Sequence, residues 1–310
     1  MNDDAQTLSV TVLMATHEGA ATLCEQIDSI LGQTLSPRSL IVSDDGSQDG
    51  TREILQRYAE RRDLTVMDGP CAGASANFLH LLAMPSQTDL VALSDQDDVW
   101  LPQKLERAAA ALRAIPAAIP GLYCARPLIC SADLNTCRIA PLPSRAPGFR
   151  HAMVQNIAGG NCMVMNRAAT DLIQAALAEV GEIPYHDWWI YQLITGAGGT
   201  VLTDDVPSLK YRQHRHNEVG SGHRTLRGFL TRPFRVLSGR YAKVSAAHAN
   251  ALLRSSHRLT PENHTLLESF VAAQAERPLT RLQRLRALGV YRQGRSGTLA
   301  LWCAALMGRI

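Results

Sequence analysis

Residues 10–31 read Val-Thr-Val-Leu-Met-Ala-Thr-His-Glu-Gly-Ala-Ala-Thr-Leu-Cys-Glu-Gln-Ile-Asp-Ser-Ile-Leu. The run Val10 to Ala15 is apolar at nearly every position, as in a strand covered on both faces, and Thr16-His17-Glu18-Gly19 closes it with polar residues. From Ala20 to Leu31 the apolar residues recur at helical spacing, so the stretch is a strand, a loop and a helix. The same unit returns along the first half of the chain. Leu40 to Ser43 is a short strand ending in Asp44-Asp45-Gly46-Ser47, and Thr51 to Arg61 follows as a helix. Thr65 to Met67 is weakly strand-like and Asn77 to Ala83 helical; Leu90 to Leu93 is a strand ending in Ser94-Asp95-Gln96-Asp97-Asp98, and a helix follows over Pro102 to Ala114. This β-α alternation predicts an α/β fold: an open, mainly parallel central sheet with helices on both faces, which binds ligands at the carboxyl ends of its strands. The polar clusters stand at those ends.

Farther along, prolines and short turns from Pro116 to Arg150 suit strands and loops over the sheet edge. Gly159-Gly160-Asn161 leads into a strand at Cys162 to Met165, and helices are expected over Ala168 to Val180 and Tyr185 to Ile194. Beyond about Gly220 the pattern is helical and basic, without strands. The expected organisation is one α/β domain over 1–220, followed by a helical basic extension over 221–310.

With 310 residues, 46% hydrophobic and 19% charged, the chain can bury a substantial core, which excludes disorder. No apolar run approaches the roughly 18 residues of a membrane-spanning helix, and the acidic start lacks the layout of a secretory signal, so a cytoplasmic location is expected. Seven cysteines, with no pair two residues apart, are expected to be free thiols and to form neither a disulfide framework nor a zinc site. Charge is unevenly spread: residues 1–206 hold 13 Lys/Arg and 24 Asp/Glu, and 207–310 hold 18 and 4, giving −11 and +14. That split suits an acidic half that takes a metal and a basic tail facing an anionic surface such as a membrane, or else a solvated basic helix surface.

Neither a G-x-G-x-x-G nor a G-x-x-x-x-G-K-[ST] loop follows the first strand, which removes support for dinucleotide and P-loop chemistry. The acidic strand ends remain. Asp95, Asp97 and Asp98 would repel one another without a cation, and oxygen-only ligands favour Mg²⁺ or Mn²⁺; the alternative is a solvated turn in which Asp98 caps the next helix. Asp44 and Asp45 supply carboxylates for a base and ribose hydroxyls beside a helix N-terminus, while Ser47 and Asp49 suit turn and capping roles. Gly159-Gly160 before Asn161 lets backbone approach a ligand closely, or else forms a turn with glycine at positive φ.

Taken together in order, residues 10–19, residues 33–51 (Q-T-L-S-P-R-S-L-I-V-S-D-D-G-S-Q-D-G-T) and residues 93–105 (L-S-D-Q-D-D-V-W-L-P-Q-K-L) resemble glycosyltransferase family 2, inverting enzymes of the GT-A fold, and within it the rhamnosyltransferase-like branch. The resemblance spans roughly 8–217. It implies that Thr16, Glu18 and Asp45 surround the donor's pyrimidine base, that Asp95 faces the ribose or the metal, and that Asp97 is the direct metal ligand. The family's Glu-Asp pair stands here as His186-Asp187, which keeps the general base at Asp187 and replaces its acidic neighbour. His17 occupies a position where Tyr is common. Tyr211 to Asn217 resembles the segment that closes over the donor diphosphate, where His214 or Arg212 helps neutralise the leaving group; His214 is a further metal ligand or a phosphate hydrogen-bond donor, or else an ordinary surface histidine in a basic stretch. Asn161 adjoins the transferred sugar. Processive members carry a Q-x-x-R-W sequence that this chain lacks, so single-sugar addition is expected.

The implied reaction moves one sugar, rhamnose, from a dTDP- or UDP-type donor to a hydroxyl of a glycan or lipid-linked glycan. Asp187 accepts the proton and the Asp97-bound metal steadies the diphosphate. No nucleic-acid partner is expected. A nucleotidyltransferase and a non-catalytic sugar-nucleotide or nucleic-acid binder are the rival readings. In the tail, Leu226, Phe229, Leu230, Phe234 and Leu237 share a helical face among Arg224, Arg227, Arg232, Arg235 and Arg240, either as an interfacial helix peripheral to the inner membrane face or as a helix packed on its own domain.

Overall fold

The computed structural model describes residues 8–213, 236–237 and 239–310. Its central sheet has seven strands: β1 (Val10–Thr16), β2 (Ser39–Asp44), β3 (Thr65–Asp68), β4 (Leu90–Ser94), β6 (Gly121–Ala125), β9 (Met163–Asn166) and β10 (Thr200–Asp204). The order is β10-β6-β9-β4-β1-β2-β3, and every neighbouring pair is parallel except the two made by β9. A smaller sheet of order β5-β11-β7-β8 is built from β5 (Val99–Trp100), β7 (Leu128–Cys130), β8 (Cys137–Ile139) and β11 (Leu209–Arg212). All positions of β1, β4 and β6 are buried, so both faces of the sheet are covered, as the continuous apolar runs require. The covering helices are α1 (Leu23–Leu31), α2 (Thr51–Glu60), α3 (Ala74–Leu82), α4 (Lys104–Leu112), the short α5 (Phe149–Ala152), α6 (Arg167–Val180) and α7 (His186–Gly196).

Two registers place the site. Thr16 pairs with Asp44 between β1 and β2, and Met14 with Ser94 between β1 and β4, so the polar ends of three parallel strands lie level. β9 runs against β4, with Ala92 opposite Val164 and Leu90 opposite Asn166. The turn that feeds β9, residues 159–162, therefore sits at the same end of the sheet. One side chain fixes this arrangement: Asn166 caps α6 by accepting from Ala169 N at 3.0 Å, and also takes Gly121 N at 2.8 Å at the start of β6.

Several expectations need correction. β6 is an interior strand between β10 and β9, not an element over the sheet edge. β10 and β11 carry no apolar run and escape a sequence reading. Cys130 and Cys137 are not free thiols: antiparallel pairing of β7 with β8 sets them opposite each other, Cα atoms 4.1 Å apart, in a disulfide. Asp98 does not cap α4, which begins at Lys104 after Gln103.

The C-terminal helices α8 (Gly239–Arg254), α9 (Pro261–Gln274), α10 (Pro278–Ala287) and α11 (Arg295–Leu306) pack on α5 to α7. Arg258 grips Glu179 at 2.6 Å, Thr260 N donates to Gly196 O at 3.0 Å, and Arg292 reaches Val154 O at 2.7 Å. Leu252, Leu267, Phe270 and Leu301 join the same buried cluster as the sheet. No described helix is long and apolar enough to cross a membrane. Residues 224–235 of the proposed tail stripe lie outside the described residues; of its members, Arg240 donates to Tyr185 Oη at 3.1 Å.

Candidate active site

The loops after β1, β2 and β4 are stitched together by their own polar side chains. Gln96 is the clamp: its Oε1 accepts from Thr16 Oγ1 at 2.5 Å and His17 N at 2.8 Å, while its Nε2 donates to His17 O at 2.8 Å. Glycine at 19 leaves room for this clamp, because a Cβ would stand 2.3 Å from Gln96 Oε1 and displace it. Glu18 accepts from Gln48 N at 2.7 Å, and its own N donates to Ser47 Oγ at 2.8 Å, which ties the first loop to the second. Asp49 accepts from Ala20 N and from Thr51 N, so it braces the loop ahead of α2.

The paired aspartates after β2 divide their work. Asp44 is buried and accepts from Ser47 Oγ at 2.5 Å and Arg52 Nε at 2.8 Å. Asp45 accepts from Cys71 N at 2.7 Å and Gly73 N at 2.8 Å, drawing the segment after β3 over the strand ends. Thr16, Glu18, Asp44 and Asp45 thus come together in one loop cluster, and each shapes it through hydrogen bonds.

Beside them stands the acidic turn. Asp95, Asp97 and Asp98 each offer a carboxylate oxygen, all within 4.8 Å of one another. Burial, then the charges of Asp98, Asp97 and Asp187, hold the Asp95 carboxyl well above the usual carboxylate range. Burial and the Asp97 charge push Asp98 up to about 7, against hydrogen bonds that favour its ionised form. A hard divalent cation supplies the positive charge such a turn lacks, so the donor set fits Mg²⁺ or Mn²⁺. Asp98 is fully buried and builds the turn, taking Asn161 Nδ2 at 2.6 Å and Arg212 N at 3.2 Å.

Arg212 and Asn161 brace this turn from other elements, and Lys104 holds Asn161. Arg212 is buried, and its guanidinium donates to Asp97 O at 2.9 Å, to Ala132 O at 2.6 Å and to Glu25. Each of its three nitrogens makes a bond within the protein, so Arg212 braces the acidic turn. Lys104, in the first turn of α4, is buried over the Trp100 ring and donates to Asn161 O at 2.6 Å; burial lowers it to about 7. Sequence reasoning passed over Lys104 and Gln96, since nothing local marks Lys104 as reaching Asn161 or Gln96 as reaching the first loop. His214 lies outside the described residues.

α7 brings Asp187 to the same place from 90 residues downstream. Asp187 sits in the first turn of α7, partly exposed, and accepts from Trp188 N at 2.6 Å. Its charge is among those that raise Asp95. His186 is buried and stacks on Phe78 at 4.0 Å between ring centroids, and burial depresses its imidazole to about 3. Neither Gly159 nor Gly160 has positive φ. Gly160 is needed for space, because a Cβ there would lie 2.7 Å from His186 Nε2. Trp188 and Trp189 are both buried, and Trp188 Nε1 donates to Ala152 O at 2.7 Å, so they belong to the core.

The sequence profile described as "Glycosyl transferase family 2" matches residues 11–168. The dTDP-rhamnosyl transferase RfbG of Shigella flexneri is 25% identical over 223 residues, covering 67% of this chain and 74% of that protein. In fold, the crystal structure of S. aureus TarS 1–349 in complex with UDP-GlcNAc superposes with a TM-score of 0.54 over 97% of this chain and 91% of that one, at 14% identity. The mannosyltransferase PcManGT from Pyrobaculum calidifontis, in complex with GDP-Man and Mn²⁺, gives 0.51 over 97% and 86%, at 18% identity.

Proposed function

Because this chain belongs to glycosyltransferase family 2, we propose that it transfers a single sugar, rhamnose, from a dTDP- or UDP-linked donor to a hydroxyl of a glycan, lipid-linked at the inner face of the membrane. The rhamnose reading is supported by the relative RfbG, which aligns over two thirds of the chain. The observation that carries the catalytic reading is the meeting of two acidic groups from distant elements, the turn after β4 and Asp187 of α7, at the carboxyl ends of the parallel strands. A nucleotide-sugar transfer needs both, one at the leaving diphosphate and one at the attacking hydroxyl.

The loops of Thr16, Glu18 and Asp45 form the base pocket, with the 71–73 segment over it. Asp95 and Asp97 would hold a Mg²⁺ or Mn²⁺, while Asp98 keeps the turn in shape through Asn161 and Arg212. When bound, the cation offsets the negative charge of the leaving diphosphate. The Asp187 carboxylate takes the proton from the acceptor hydroxyl as that oxygen bonds to the anomeric carbon. On the opposite face the bond from that carbon to the phosphate oxygen breaks, the nucleoside diphosphate leaves, and the configuration inverts. Residues 8–115 hold the nucleotide in this division of labour, and 116–220 hold the acceptor.

A panel of labelled sugar nucleotides tests the proposal. Transfer or slow hydrolysis of dTDP-rhamnose, with release of dTDP, is expected. Release of pyrophosphate from a nucleoside triphosphate, or inertness towards every sugar nucleotide with a lipid-linked acceptor present, would contradict it.

A further inference from the structure

Away from the acidic site, the C-terminal helices expose an apolar face among the described residues. Leu299 is 64% exposed, Leu306 40% and Met307 52%, and their spacing with the half-buried Trp302 sets them along one side of α11 and its end. A cleft of about 480 Å³ opens beside this stripe, lined by Arg145, Arg295, Leu299 and Trp302 among others. Arg145 is held in place: its guanidinium lies 3.6 Å over the Tyr291 ring, and Gln293 bonds both its backbone N, at 2.8 Å, and its backbone O, at 3.0 Å. The start of α10 adjoins the far end of the stripe, since Arg281 Nη1 donates to Ala305 O at 2.8 Å, and it carries Leu279, 71% exposed.

The sequence around this face is strongly basic, and Glu276, paired with Arg284 at 3.0 Å, is the acidic residue at its border. From Arg277 to Arg309 there are seven arginines and no Asp or Glu. Five of them, Arg277, Arg284, Arg286, Arg295 and Arg309, are exposed. Large apolar side chains flanked mainly by cations match the boundary of a bilayer, where acyl chains lie beneath anionic phosphates. We propose that the α11 face and its cleft dock on an anionic lipid surface, with Leu299, Trp302, Leu306 and Met307 entering the acyl boundary and Arg145 and Arg295 pairing with headgroup phosphates. This goes beyond the transferase reading and holds whichever sugar is moved.

Flotation of the full chain with vesicles of phosphatidylcholine, with or without phosphatidylglycerol, tests it. The wild type should float with the anionic vesicles, sink with the neutral ones, and release as salt rises, because headgroup attraction is screened. Leu299→Glu and Met307→Glu, both at exposed positions, should each lower partitioning by roughly tenfold or more. The pair Arg145→Glu with Arg295→Glu should abolish the preference for anionic vesicles. Unchanged thermal midpoints and donor binding by calorimetry keep folding and the transferase site separate from this result. Failure of the wild type to float, or flotation of the variants equal to it, overturns the proposal. So does a dimer in gel filtration that Leu299→Glu dissolves without any vesicle binding, which would give the face to a second copy.

Discussion

Replacing Asp187 by Asn changes one proton-accepting group while keeping its shape. Asp187 Oδ1 accepts from Trp188 N at 2.6 Å, and an amide oxygen can still take that bond. What is lost structurally is a negative charge in the first turn of α7, worth about 0.3–1 kcal/mol at a helix N-terminus. Relief of repulsion towards Asp95 offsets part of that, because the Asp187 charge is one of those that raise the Asp95 carboxyl. Folding stability should therefore move by less than about 1 kcal/mol. The catalytic effect is much larger: removal of a general base should slow transfer by roughly 10²–10⁴, a barrier increase of about 2.7–5.4 kcal/mol. Donor affinity should be unchanged or slightly tighter, since one negative charge near the diphosphate position is gone. Turnover read from released nucleoside diphosphate, donor-binding calorimetry and a thermal melt together separate these effects. Near-normal turnover would place the base elsewhere, and joint loss of folding and donor binding would make Asp187 a structural residue.

A chelator should abolish transfer and Mn²⁺ or Mg²⁺ restore it, with Asp97→Ala inactive in either ion; full activity in EDTA would remove the metal from the mechanism. Gly160→Ala places a Cβ 2.7 Å from the buried, Phe78-stacked His186 ring and should destabilise by about 1–3 kcal/mol in urea unfolding. Adding His186→Ala should recover part of that loss, whereas strictly additive effects would break the link between the two. His248 is fully buried and depressed to about 3 by that burial. It is neutral when folded and protonates near 6.5 when unfolded, so its contribution to stability is whole above pH 6.5 and is lost as pH falls towards 3. Against wild type, His248→Phe should flatten the acid limb by about 1.4 kcal/mol per pH unit, and parallel stability curves from pH 7 to 5 would contradict this.

The parallel strands and their acidic ends were legible in the amino-acid pattern alone. Val10–Ala15 and Leu90–Leu93 are buried on both faces, which leaves an unbroken apolar run, and the residues that follow turn polar within one or two positions. The order of motifs also carried the family. Burial leaves a local mark, so it can be read locally. β10 left no such mark, because its positions are exposed or only half buried. The partners of polar side chains were equally hidden. Gln96 clamps His17 across 79 positions, Asn161 holds Asp98 across 63, and Arg212 reaches Glu25 across 187. Arg212 read as a cation for the leaving diphosphate, and only the folded chain shows that it also braces the acidic turn. Cys130 and Cys137 pair because two strands run antiparallel in one register. Gly160 is small because a ring from α7 presses on it. Periodicity states which face of an element is buried; which distant group meets it there is decided when the sheet closes and β9 reverses direction, and that decision assembled the candidate site.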